Sequence, residues 1–152
     1  MLASIRAQED SHIGPLIQDL LRTREDGKIK LFLIYRALKT RRGHREMFRD
    51  GDYVPLESTG RFRNHVITFA RRYHRQWAIV IAPRLLSHLI QEGEFPLGRK
   101  VWEDTEVIMP DSAPVQWRNV ITDETLSVDS SLSVGDVLCC FPVALLIGEG
   151  KD

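Results

Sequence analysis

Paired carboxylates are the side chains suited to general acid–base work, and Glu103 and Asp104, directly after Trp102, are the pair to weigh. Neighbouring residues in a strand point to opposite faces, so this pair does not converge on one substrate and reads as a solvated strand end. The five histidines, His12, His44, His65, His74 and His88, contain no i, i+4 pair for a helix face and no His-Glu-x-x-His pattern. Serines are present without a Gly-x-Ser-x-Gly elbow, and the glycine patterns that cradle phosphate are absent. The two cysteines, Cys139 and Cys140, are adjacent in an apolar stretch. That spacing forms neither a disulfide framework nor a Cys-x-x-Cys metal pair, and they read as buried thiols. The residues alone therefore carry no catalytic signature, no metal site and no cofactor motif.

Two groups could bind rather than react. Trp77, Trp102 and Trp117 each offer a flat apolar face that matches the C–H face of a sugar ring, although a tryptophan in a strand is more often core with its N–H satisfied. Trp102, flanked by charged residues, and Trp117 are the candidate substrate contacts. The basic-aromatic run Arg71-Arg72-Tyr73-His74-Arg75 lies between two candidate strands, at a hairpin tip. It reads either as an anion or nucleic-acid contact, or as a solvated turn whose charges keep sheet edges from pairing with other chains.

Charge favours the second of these. The chain has 21 Lys/Arg and 21 Asp/Glu, but residues 1–76 hold 16 basic against 9 acidic and residues 77–152 hold 5 against 12, a split of +7 and −7. Halves of opposite sign neutralise each other when one small unit packs on itself, so neither nucleic acid nor a charged membrane is expected as a partner. No apolar run approaches the ~20 residues that span a bilayer, and no secretory signal pattern opens the sequence, which places the expectation in the cytoplasm. With 152 residues and 43% hydrophobic content the chain can build a core, but a (β/α)8 barrel typically takes ~250 residues.

The elements that must position these residues fall into two textures. In the first third, Pro15 suits a first helical turn, and Leu16, Ile17, Leu20 and Leu21 fall on one helical stripe. Lys28 to Arg42 is apolar nearly all round, a pattern shared by buried strands. Its length and its Lys39, Arg41 and Arg42 ending favour a helix, with Gly43 as a cap. A helix apolar on every side needs cover from two directions. From Asp50-Gly51 onward, short β-prone runs alternate with turn residues: 53–57, 65–70, 77–82, 105–109, 115–121 and 138–147, the last divided by Pro142. Residues 84–98 stay ambiguous, with Leu85, Leu86, Leu89 and Ile90 spaced for one short helix. The expected class is α+β: a helical segment over 1–49 followed by an antiparallel β-sandwich over 50–150. Phe69, Ile79, Ile81, Val107 and Val120 are expected in its core.

Several stretches, in order, resemble one family. Asp26-Gly27-Lys28-Ile29-Lys30-Leu31-Phe32-Leu33, then Leu38-Lys39-Thr40-Arg41-Arg42, then Glu46-Met47-Phe48-Arg49-Asp50-Gly51-Asp52-Tyr53-Val54-Pro55-Leu56 look like the junction in α-amylase-type enzymes, where the last barrel helix leads into a carboxy-terminal sandwich. His65 to Arg71, Ala82 to Leu85, Pro96 to Gly98, Val101 to Thr105, Trp117 to Thr122 and Phe141 to Leu146 resemble malto-oligosyltrehalose synthases in particular. The likeness runs from about residue 20 to 147. It departs at Thr122-Asp123-Glu124, where the family turn usually reads Thr-Gly-Glu.

That resemblance implies a sandwich of the α-amylase C-terminal-domain type, preceded by remnants of the barrel's last helices. It also implies a parent isomerase of the α-amylase clan that converts the reducing-end α-1,4 linkage of a malto-oligosaccharide to an α,α-1,1 linkage in trehalose biosynthesis. In such enzymes the catalytic carboxylates sit on the barrel. No residue here matches those motifs, so no catalytic role carries over. The implied partner is the upstream barrel of the same parent, with malto-oligosaccharide reached only through it, and the isolated chain is expected to self-associate. A free-standing carbohydrate-binding module is the alternative.

Overall fold

The structure is a computed structural model that describes residues 1–9 and 13–150. Its first third is helical: α1 (Leu2–Glu9), α2 (Ile13–Arg22), a 3-10 turn at Arg24–Asp26, α3 (Lys28–Gly43) and α4 (Arg45–Asp50). Pro15 lies in the first turn of α2, and Leu16, Ile17 and Leu20 are its buried stripe. Gly27, at φ 77°, turns the chain into α3, and the Asp26 carboxylate accepts the Lys28 N–H at 2.8 Å. Gly43 is the last helical residue of α3 rather than its cap. His44 ends the helix and donates its N–H to Thr40 O.

Strands follow as β1 (Asp52–Pro55), β2 (Ser58–Thr59), β3 (Val66–Tyr73) and β4 (Gln76–Pro83). After the short helix α5 (Arg99–Trp102) come β5 (Glu106–Ile108), β6 (Gln116–Asn119), β7 (Thr125–Ser127), β8 (Ser131–Ser133), the helical turn α6 (Val134–Val137) and β9 (Ala144–Glu149). Every pairing is antiparallel. One sheet has the order β1-β3-β4-β9-β6-β7 and the other β2-β5-β8.

The large sheet is covered on both faces, and β4 shows how sequence achieves this. Trp77, Ile79 and Ile81 belong to the core shared with the small sheet, while Ala78 and Val80 face the helices. β9 alternates in the same way, with Ala144 and Leu146 on one side and Leu145 and Ile147 on the other. A strand buried on both faces reads as a continuous apolar run. Of the five expected core residues, Ile79, Ile81 and Val107 are fully buried; Phe69 is half-buried and stacked on Tyr53, and Val120 is half-buried beneath the helices. Ile79 pairs with Ala70 on one side and Leu146 on the other. Ile79→Ala is expected to lower stability by ~2–5 kcal/mol, read from the shift of a urea unfolding midpoint at unchanged slope.

Some expectations need correction. The last apolar run is a strand only from Ala144: Pro142 cannot donate to a ladder, and residues 138–142 form turns after α6. Residues 84–98 hold a single 3-10 turn, Leu86–His88, not a helix, and Leu85 and Leu86 are exposed. α3 buries only Phe32 and Arg36 and is covered from one side; Ile34 and Leu38 on its other side are 53% and 56% exposed. No helix among the described residues is long and apolar enough to cross a membrane.

Candidate functional site

Two sheet edges, β7 of the large sheet and β8 of the small one, face a cavity of about 730 Å3. Thr125, Ser127, Ser131 and Ser133 line it with hydroxyls, and Arg99, Glu106 and Asp136 with charge. Arg99, at the start of α5, holds the Asp136 carboxylate through two N–H groups, one at 2.6 Å, and this keeps that carboxyl below the usual range. Gly135 makes the approach possible, since a Cβ there would stand 2.7 Å from the Arg99 Cα.

The cavity floor is the β6–β7 turn. Asn119, buried, donates its N–H to Glu124 O and accepts the Asp123 N–H on its own carbonyl, both at 2.8 Å, while its side-chain oxygen takes the Ile121 N–H. Asp123 adopts φ 61°, the left-handed region that glycine enters without cost. The family resemblance departs from Thr-Gly-Glu at this residue. Aspartate tolerates the region better than most residues, and its carboxylate finds two cations: Arg36 of α3 at 2.7 Å, and Arg118 of β6. Arg36 is buried and also donates its Nε–H to Val120 O at 2.6 Å, which ties the helical layer to the turn.

Burial raises the Asp123 pKa, but hydrogen bonds from Arg36 and Arg118 outweigh it and hold the carboxyl below its ordinary value. The folded pKa is thus lower than the unfolded one. The stabilisation from this group is complete above the unfolded value of about 4 and is lost as pH falls through the folded value. Asp123→Asn should therefore be less stable than the parent at pH 6, with the difference shrinking below pH ~4 in parallel melting curves.

Cys139 and Cys140 are exposed, which corrects the expectation of buried thiols. Leu138 and Phe141 on either side are the buried anchors, and the two thiols stand 3.0 Å apart at the surface. Close packing at the sulfur, then the adjoining Cys140, pushes the Cys139 thiol up to about 12.

The candidate sugar platforms lie elsewhere. Trp102 is fully buried with its indole N–H donating to Pro96 O at 2.8 Å, and Trp117 is buried with its N–H donating to Pro114 O at 2.7 Å. Neither indole presents a face to solvent. Glu103 and Asp104 follow α5, not a strand, and both engage Arg61. The Arg61 guanidinium donates to Glu103 and the Arg61 N–H to Asp104 Oδ1, both at 2.9 Å. The positive φ of 51° at Glu103 re-aims the chain, which strand alternation could not anticipate.

The basic run is engaged in the fold. Arg71 donates to Phe48 O, Arg72 lies over the Trp77 ring, and Arg75 donates to Gly150 O, with the two-residue turn at His74 and Arg75. Among the histidines, His65 and His88 approach to 6.2 Å between rings; His12 lies outside the described residues.

No protein-family model and no curated protein matches the sequence. Among solved structures, a mutant maltooligosyltrehalose synthase from Arthrobacter ramosus is similar over 87% of this chain, at 26% identity and a TM-score of 0.59. A noncanonic maltogenic α-amylase from Thermotoga neapolitana aligns over 70% of the chain and 20% of its own, at 11% identity and a TM-score of 0.38, a likeness too slight to carry an argument. This chain spans about 16% of the Arthrobacter enzyme. Over most of its length, then, the chain is similar in fold to a part of maltooligosyltrehalose synthase, the α-amylase-clan family that its sequence motifs resemble.

Proposed function

We propose that this chain is the non-catalytic C-terminal piece of an enzyme of the malto-oligosyltrehalose synthase type. Residues 1–49 are then the last helices of its barrel and residues 50–150 its terminal sandwich. The observation that carries this reading is the structural likeness over 87% of this chain but 16% of the neighbour. The uncovered side of α3, with Ile34 and Leu38 exposed, supports it, because a closing barrel helix has a second partner. In the parent, a cytoplasmic isomerase, the barrel supplies the carboxylates that break the α-1,4 bond and form the α,α-1,1 bond; this piece covers the barrel's flank. A free-standing carbohydrate-binding module is the second reading, favoured by the hydroxyl-lined cavity between β7 and β8.

Three measurements separate the readings. The purified chain, incubated with maltopentaose, is expected to form no non-reducing trehalose-ended product; formation of that product would overturn the non-catalytic assignment. In sedimentation at micromolar concentration the chain is expected to run as a dimer or larger, and Ile34→Gln with Leu38→Gln to shift it toward monomer. A strictly monomeric chain that binds malto-oligosaccharide tightly would instead favour the module. Reading the DNA upstream of the Met1 codon gives the last measurement: an open frame encoding a barrel is expected, and an in-frame stop would sink the proposal.

A further inference from the structure

Among the described residues, one group of side chains able to ligate a metal comes together outside the contacts assigned above: Glu124, Cys139 and Cys140, whose ligand atoms all lie within 4.8 Å of one another. Two elements deliver it. Glu124 ends the β6–β7 turn and is pinned through its backbone carbonyl by Asn119, while the cysteines follow α6 between the buried anchors Leu138 and Phe141. The carboxylate is also aimed. Thr122, largely buried, donates its hydroxyl to Glu124 Oε2 at 3.0 Å, which leaves Oε1 toward the Cys140 Sγ at 3.9 Å.

We propose that Glu124, Cys139 and Cys140 form a thiophilic divalent-metal site of zinc type, with two thiolates, one carboxylate and an open fourth position. Zn–S bonds of ~2.3 Å and Zn–O bonds of ~2.0–2.2 Å place tetrahedral ligands roughly 3.5–3.8 Å apart. The observed separations of 3.0 Å between sulfurs and 3.9 Å from sulfur to oxygen bracket that spacing. Both cysteines are exposed, which gives their side chains room to rotate toward that spacing. The donor set is soft, which selects zinc or cadmium over magnesium or calcium. Metal binding would displace the two thiol protons to solvent, so uptake is expected to strengthen as pH rises. Thr122 acts as the outer partner that fixes the carboxylate. Adjacent cysteines do not suggest this from sequence, because the third ligand arrives from 15 residues upstream by folding. A bound ion would clamp the β6–β7 turn to the segment after α6, joining two walls of the cavity. This inference is independent of the glucan enzyme reading and survives its failure.

The test is titration of the full chain, reduced with a phosphine and freed of reductant, with cadmium(II) alone and zinc(II) alone at pH 7. One equivalent of cadmium is expected to raise a thiolate-to-metal charge-transfer band, and zinc to compete it away. Zinc should raise the melting temperature by ~5–10 °C at a free concentration one hundredfold above Kd, and further with the logarithm of concentration. Cys139→Ser and Cys140→Ser should each abolish the band. Glu124→Gln should keep the band but weaken binding, and Thr122→Val should weaken it about tenfold. Because the thiols are exposed, the serine variants are expected to keep the parental circular dichroism and metal-free melting temperature. No band with cadmium, a band that persists when both cysteines are serine, or unchanged affinity in Glu124→Gln would each overturn the site.

Discussion

Phe32→Ala is expected to lower the stability of the chain by ~3–5 kcal/mol and to loosen the helical layer, because the ring is fully buried in the cluster that joins that layer to the sheet. Phe32 is fully buried in the second turn of α3, with its ring 5.8 Å from that of Phe141 and tilted 56° to it. The same cluster holds Ile5 of α1, Leu16, Ile17 and Leu20 of α2, Met47 of α4, and Ala78 and Leu145 of the sheet. Truncation therefore leaves a cavity within a cluster to which four helices and two strands contribute. Helices of this length are marginal in water without a packed face, so lost packing here is lost helix as well. Chemical unfolding followed by far-ultraviolet circular dichroism should show a lower midpoint. Phe32→Leu, which keeps most of the volume, is expected to cost far less. Equal midpoints for Phe32→Ala and the parent would mean that the helices stand on the sheet by some other contact.

The parts of this fold that are legible in the sequence are those in which one residue pattern has one physical use. The continuous apolar run of β4 needs both faces covered, and it gets them. The stripe Leu16, Ile17, Leu20 in α2 is an amphipathic helix by spacing alone. Where a pattern has two uses, the sequence is silent. β7 and β8 are three-residue strands reading Thr-Leu-Ser and Ser-Leu-Ser, each with a single apolar residue, which is indistinguishable from a polar loop until the other sheet supplies the partner for Leu132. Cys139 and Cys140 looked buried because their neighbours are apolar, yet it is Leu138 and Phe141 that enter the core, and the chain between them turns the thiols outward. The cavity between β7 and β8 was invisible for the same reason as its walls. So was the approach of Glu124 to the thiols, which depends on the left-handed residue Asp123 and on Arg36 reaching across from α3. Lys28 to Arg42 is apolar nearly all round in sequence, yet among the described residues it is covered from one side, with Ile34 and Leu38 exposed.

Trp102→Ala, the substitution that a sugar-platform reading would use to abolish glucan contact, is expected instead to lower stability by ~3–5 kcal/mol through the sandwich core. Trp102 is the largest fully buried side chain and closes α5 against the small sheet, in one cluster with Val107, Leu132, Val134, Val137 and Leu138. Its indole N–H is satisfied by Pro96 O, so truncation removes the packed rings and also leaves that carbonyl without its partner in a buried setting. α5 is a single turn, held at its N-terminal end by Gly98 donating to Leu138 O and along its side by Arg99 on Asp136, with Trp102 as its buried anchor. Its displacement would carry Arg99 away from Asp136 and open one wall of the β7–β8 cavity. Trp102→Phe, which retains a ring but not the N–H, should lie between the parent and the alanine variant. The decisive comparison sets the melting temperature beside malto-oligosaccharide affinity: the melting temperature is expected to fall steeply for Trp102→Ala. A variant that melts with the parent but has lost measurable glucan affinity would place the indole at the surface in solution and overturn the core assignment.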